Sequence, residues 1–99
     1  VEGISRETLG EGDAHCIYDH QGAVRAWRGM RKFAKNGGKG LFFDTYTKHK
    51  CGGAPKKICM LTEHLSRKLG TREKLDFNFC TASPELYDVP FFTKRLLFF

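Results

Sequence analysis

Apolar residues recur along this chain with two different periods, and the changes between them divide it into elements. From His20 to Lys35 the positions Ala23, Ala26, Trp27, Met30, Phe33 and Ala34 fall at steps of three and four, while Arg25, Arg28, Arg31 and Lys32 take the other side. That pattern predicts an amphipathic helix with Trp27 and Met30 in its core face, Asp19 as its N-cap and Asn36-Gly37-Gly38 as its stop. Leu41–Thr45 is too short for a helix and rich in aromatics, so it reads as a strand. A second helix is framed by Pro55 in its first turn and Gly70 just past its end, and runs from Lys56 to Leu69. Its stripe of Ile58, Leu61, Leu65 and Leu69 is expected to pack on the sheet. After the link Thr71–Lys74, residues Leu75–Thr81 alternate as a second strand, and Ser83-Pro84-Glu85 turns the chain. Asp88 caps a predicted third helix through Phe92, Leu96 and Leu97, with Pro90 in its first turn. Strand, helix and strand on short links predict a right-handed crossover with parallel strands. The fold class is therefore α/β, part of a doubly wound (Rossmann-like) parallel sheet with flanking helices, and an incomplete domain.

Length narrows the picture. Ninety-nine residues make one small domain at most, with marginal independent stability. Residues 1–14, with Gly3, Gly10 and Gly12, read as a linker, and residues 15–99 as the partial Rossmann-like unit. Val1 in place of Met and an apolar finish at Leu96-Leu97-Phe98-Phe99 are expected of a piece of a longer protein. The charge of +6, from 17 Lys+Arg against 11 Asp+Glu, permits attraction to polyanions. The cations are nevertheless scattered, with pairs such as Lys56-Lys57 and Arg67-Lys68 reading as solvated helix faces, so nucleic acid is not expected as a partner. No apolar run approaches the roughly eighteen residues that cross a bilayer, and the start has no signal-peptide pattern. The compartment is not legible.

Candidate chemistry centres on cysteine. Cys16, Cys51, Cys59 and Cys80 lie 35, 8 and 21 residues apart, without the close pairs of zinc or thioredoxin-type centres, so no metal is assigned. Cys51 stands apart from the others, because Lys48-His49-Lys50-Cys51-Gly52-Gly53-Ala54-Pro55 runs straight into the second helix. A helix N-terminus and three basic neighbours are expected to favour the thiolate, and two glycines clear space for a ligand. In sheets of this kind ligands gather outside the carboxyl ends of strands, where this loop falls. Asp44, at the strand's end, either orients that loop by hydrogen bonds or terminates the strand. His49 reads as a surface group with proton relay as the alternative, Cys59 and Cys80 as small apolar fillers, and His64, next to Glu63, as part of a solvated face. No G-x-G-x-x-G fingerprint is present, so ordinary NAD binding is not expected.

Phe43-Asp44-Thr45-Tyr46-Thr47 followed by Lys50-Cys51-Gly52-Gly53-Ala54-Pro55-Lys56-Lys57-Ile58 resembles the central segment of sulfide:quinone oxidoreductases, flavoproteins of the pyridine nucleotide-disulfide oxidoreductase superfamily. Supporting similarity runs through Arg67–Lys74 and on to Val89-Pro90-Phe91-Phe92, so it covers about residues 15 to 99. The resemblance implies Cys51 as one of two redox cysteines that handle sulfide sulfur beside FAD. It also implies sulfide and quinone as substrates of a parent protein, and a peripheral membrane association. The second cysteine, the quinone pocket and the flavin fingerprint would lie outside this chain, leaving the 99 residues inactive alone. Cys16 sits where some members carry a cysteine close to the flavin, which makes it the candidate cofactor-binding residue. Two other readings stay open, an NAD(P)H-using disulfide oxidoreductase of the same superfamily and a small basic module binding anions or nucleic acid.

Overall fold

The computed structural model describes residues 5, 8, 9, 12–45, 51–86 and 94. The helix predicted after Asp88 lies outside them, as do Lys48, His49 and Lys50. Helix α1 (His20–Asn36) leads into strand β1 (Gly38–Asp44); helix α2 (Ala54–Leu69) and a single 3-10 turn (Arg72–Lys74) then lead into strand β2 (Leu75–Thr81). The strands pair in parallel from Gly38 opposite Leu75 to Asp44 opposite Thr81. This is an α/β arrangement, a β-α-β crossover of the kind repeated in doubly wound sheets.

Local chemistry explains the boundaries. Asp19 adopts an extended conformation and its Oδ1 accepts from the Gly22 N–H at 2.6 Å, satisfying one orphan donor of α1. At the other end Gly37 takes a φ of +82° and donates to the Phe33 carbonyl at 2.8 Å. A Cβ there would stand 2.7 Å from the Lys74 carbonyl oxygen, so glycine is required by both conformation and space. Helix α2 ends at Gly70 in the left-handed region, as the sequence predicts. Strand β1 begins at Gly38, three residues before the expected Leu41, because its ladder extends back to Leu75 where no side-chain alternation announces it.

The sheet has two unlike faces. Gly40, Phe42, Phe77 and Phe79 share the face that meets both helices. Phe33 of α1 lies 5.2 Å from Phe77 and 6.4 Å from Phe42 between ring centroids, and Phe42 stacks on Phe77 at 5.7 Å. On the other face Leu41 and Phe43 are 60% and 51% exposed, and Cys80 is exposed too. Parallel sheets normally bury both faces, so this one is half covered among the described residues.

Two packing expectations are corrected. Trp27 is 49% exposed rather than part of the core. In α2 the buried residues are Pro55, Lys56, Thr62 and Ser66, while Leu61 and Leu69 are half exposed. The helix is turned by about a quarter of a revolution from the orientation its apolar stripe predicts. The small side chains of Thr62 and Ser66 are fully buried, and their hydroxyls donate to the Ile58 and Glu63 carbonyls at 2.7 and 2.6 Å. Burial therefore costs those hydroxyls no hydrogen bond. Ile58, Leu61 and Leu65 instead line an apolar groove against Ala26 and Met30 of α1.

Candidate active site

The two strands end side by side at Asp44 and Thr81, and the first turn of α2 stands over that carboxyl edge. Cys51 occupies the loop just before the helix and is exposed. Its carbonyl accepts from the Ala54 N–H at 3.3 Å, and Gly53, the N-cap, contributes no side-chain bond. The thiol thus lies at the edge the crossover topology predicts, and open to solvent.

Beneath the loop is a buried polar network. The Lys56 ammonium donates to Asp44 Oδ2 at 3.0 Å and to the Gly52 carbonyl at 2.9 Å, and lies 5.8 Å from the Phe79 ring centre. The Thr81 hydroxyl donates to Asp44 Oδ1. A lysine in a first helical turn opposes the helix dipole, and the first turn of α2 has no acidic residue of its own. Asp44, from the neighbouring strand, supplies the missing negative charge. Burial pushes the Asp44 carboxyl up, but the hydrogen bonds from Thr81 and Lys56 and the Lys56 charge outweigh it and hold Asp44 below the ordinary carboxylate range. Asp44 is therefore both the last residue of β1 and, through Lys56, a support of the Cys51 loop; the two readings left open by the sequence coexist. Lys56, expected on a solvated face, is corrected to a buried residue.

Cys16 lies partly buried in the segment before α1, on the wall of a cavity of about 790 Å³ between that segment, α1 and β1. Met30, Phe33, Phe42 and Phe43 line it as well. The His15 ring reaches this wall by packing over Gly29, where a Cβ would come within 2.4 Å of its Nε2. Two residues past Cys16, the Tyr18 hydroxyl donates to the Cys51 carbonyl at 3.2 Å. Burial, followed by the charges that Cys51, Asp44 and Cys16 carry when ionised, raises the Tyr18 phenol, so it keeps the proton it donates. Tyr18 thus joins the neighbourhoods of the two cysteines singled out from the sequence.

The other thiols stand apart. All four cysteines are free. Burial, with a push from Glu63, raises the Cys59 thiol, as befits an unreactive filler. Cys80 is corrected from filler to exposed residue, because strand alternation turns it to the open face. His64 is exposed, as expected, and Glu63 beside it is paired with Arg67 and Arg72. Among the described residues no three His, Cys, Asp or Glu side chains gather as metal ligands would. Nor is any helix there long and apolar enough to cross a membrane.

Sequence reasoning did not find Tyr18, Lys56 or Thr81 as site residues. For Lys56 a signal existed, namely a cation in a first helical turn with no local acid. For Tyr18 none did, since its partner is 33 positions away.

No protein-family model matches the chain. It is 29% identical over 96 residues to a Dictyostelium discoideum protein named mitochondrial sulfide:quinone oxidoreductase, covering 97% of this chain and 21% of that protein. It is 35% identical over 72 residues to a Mus musculus protein of the same name, covering 73% of this chain and 16% of that protein. The chain thus spans about a fifth or less of the curated relatives it matches.

Proposed function

We propose that this chain is a segment of a flavin-dependent sulfide:quinone oxidoreductase, and that Cys51 is one of its redox cysteines. The observation that carries the reading is the placement of Cys51, exposed on the loop at the carboxyl edge of the sheet above a buried polar network. Similarity to two proteins of that name supports it.

In the reaction, hydrosulfide attacks one sulfur of a disulfide or trisulfide that includes Cys51. One S–S bond forms as another breaks, and the displaced cysteine leaves as a thiolate. The protein's share is to expose that sulfur at the carboxyl edge of the sheet, ahead of α2. FAD, when bound, supplies the two-electron sink that a quinone later empties. Met30, Phe33, Phe42 and Cys16 line a cavity of about 790 Å³, and they are the residues that would hold the flat part of such a group. The nucleotide part has no glycine cradle in this sequence and falls to other polypeptide. We extend to this chain the mitochondrial location in the relatives' names, and a peripheral membrane association that would bring quinone within reach.

An absorbance titration tests the reading. The longer protein carrying this segment should bind a yellow flavin that sulfide bleaches, and Cys51→Ser should abolish the bleaching. A Cys51→Ser protein that bleaches at the parent's rate removes Cys51 from the chemistry.

A further inference from the structure

The two peptide carbonyls that follow the Cys51 and Gly52 α-carbons are both held by side chains, one distant in sequence and one from the first turn of the helix that follows. Tyr18, from the segment before α1, donates to the first at 3.2 Å, and Lys56, from α2, donates to the second at 2.9 Å. Lys56 is itself fixed by Asp44 at the end of β1, and Asp44 by Thr81 at the end of β2. Every described element around the loop except α1 itself therefore contributes one link, and the links converge on two consecutive peptide units.

Burying the Lys56 ammonium is expensive unless its partners are well placed. One of those partners is the Gly52 carbonyl, so the buried cation fixes where the loop goes. It does so beside Cys51, the exposed thiol ahead of α2.

We infer that Lys56 and Tyr18 are positioning residues for Cys51, holding its loop at the carboxyl edge of the sheet ahead of α2; the inference rests on the reading of Cys51 as a reactive thiol. Asp44 and Thr81 act one step further back, by fixing Lys56. Loss of Lys56 or Tyr18 lets the loop wander, so that the sulfur is no longer presented in one place at the strand edge.

The test uses the longer protein that carries this segment, reduced beforehand, and peptide-resolved mass spectrometry of iodoacetamide alkylation at pH 7, with exposed Cys80 as the internal reference. In the parent protein Cys51 should react faster than Cys80. Lys56→Met and Tyr18→Phe should each lower the Cys51 rate relative to Cys80 by up to about tenfold. The Cys80 rate should stay in place. Lys57→Met, which removes the same charge from the exposed position next door, should leave both rates unchanged. Should Lys56→Met fail to fold by far-UV circular dichroism, Tyr18→Phe decides alone, since it removes a single hydroxyl. A fast Cys51 whose rate ignores the substitutions overturns the positioning role and leaves the functional reading intact. A parent Cys51 no faster than Cys80 overturns the functional reading, and the positioning role with it.

Discussion

Helix α2 is tied to the rest of the molecule by an ion-pair node near each end, and the two differ in almost every respect except charge. Near its start, Lys56 and Asp44 meet with side chains 6% and 8% exposed, and the node also holds Thr81 and the Gly52 carbonyl. Toward its end, Glu63 accepts from Arg67 and Arg72, whose side chains are 68% and 39% exposed. Arg72 also donates to the Leu75 carbonyl at 2.9 Å and lies 4.8 Å from the Phe77 ring centre, so it buttresses the entry to β2. The exposed node links elements that backbone geometry already brings together. The buried node places two desolvated charges beside the loop that carries Cys51, which Tyr18 holds as well. That contrast is why the first end of α2 reads as a site and the second as scaffolding.

The sharpest way to break the contrast is to remove one partner from each node. Lys56→Met leaves Asp44 ionised and buried, and should cost about 3–5 kcal/mol, read by urea denaturation in a stabilising osmolyte. Lys56→Met combined with Asp44→Leu should recover much of that loss, because neither charge is then stranded. A single-variant loss under about 1 kcal/mol would place Lys56 with ordinary surface pairs.

Acid sharpens the comparison next. Asp44 is held below its ordinary value, and so is Glu63, where burial pushes up but the hydrogen bonds and charges of Arg67 and Arg72 prevail. A carboxyl depressed in the folded state contributes stability that is complete above its unfolded value and fades as pH falls through its folded one. Stability should therefore hold down to about pH 4–5 and decline below, from the unfolded values near 3.9 and 4.3. Asp44→Asn should flatten that acid limb more than Glu63→Gln, as measured by denaturation midpoints from pH 6 to pH 2.

The smallest effect is expected at Arg67. Its (i, i+4) pair with Glu63 is largely in water, so Arg67→Ala should cost no more than about 0.5 kcal/mol, and the difference should vanish in high salt. A larger, salt-insensitive loss would mean that the second node is not the surface device described.

Much of the fold was legible because it is written locally. Asp19, Gly37, Pro55 and Gly70 each satisfy or terminate a helix end through their own backbone chemistry, and β2 runs over the same seven residues its alternation predicts. The orientation of α2 was not legible. Its sequence carries an apolar stripe and a small-residue face, and periodicity marks the first without saying which one the sheet selects. The edge Cys51 occupies followed from topology, whereas its supports at Tyr18 and Thr81 pair with residues 33 and 37 positions away.

What the sequence by itself determined is the order and type of the helices and strands from α1 to β2, their parallel crossover, and one cysteine ahead of α2. Each depends on caps, turns and periods that act within a few residues. Only the tertiary structure decided that Lys56 is buried, that Asp44 meets it, and that Tyr18 reaches across to the Cys51 carbonyl. Those facts depend on which face of α2 lies against the strands, and close packing of small side chains, not hydrophobic period, settles that choice.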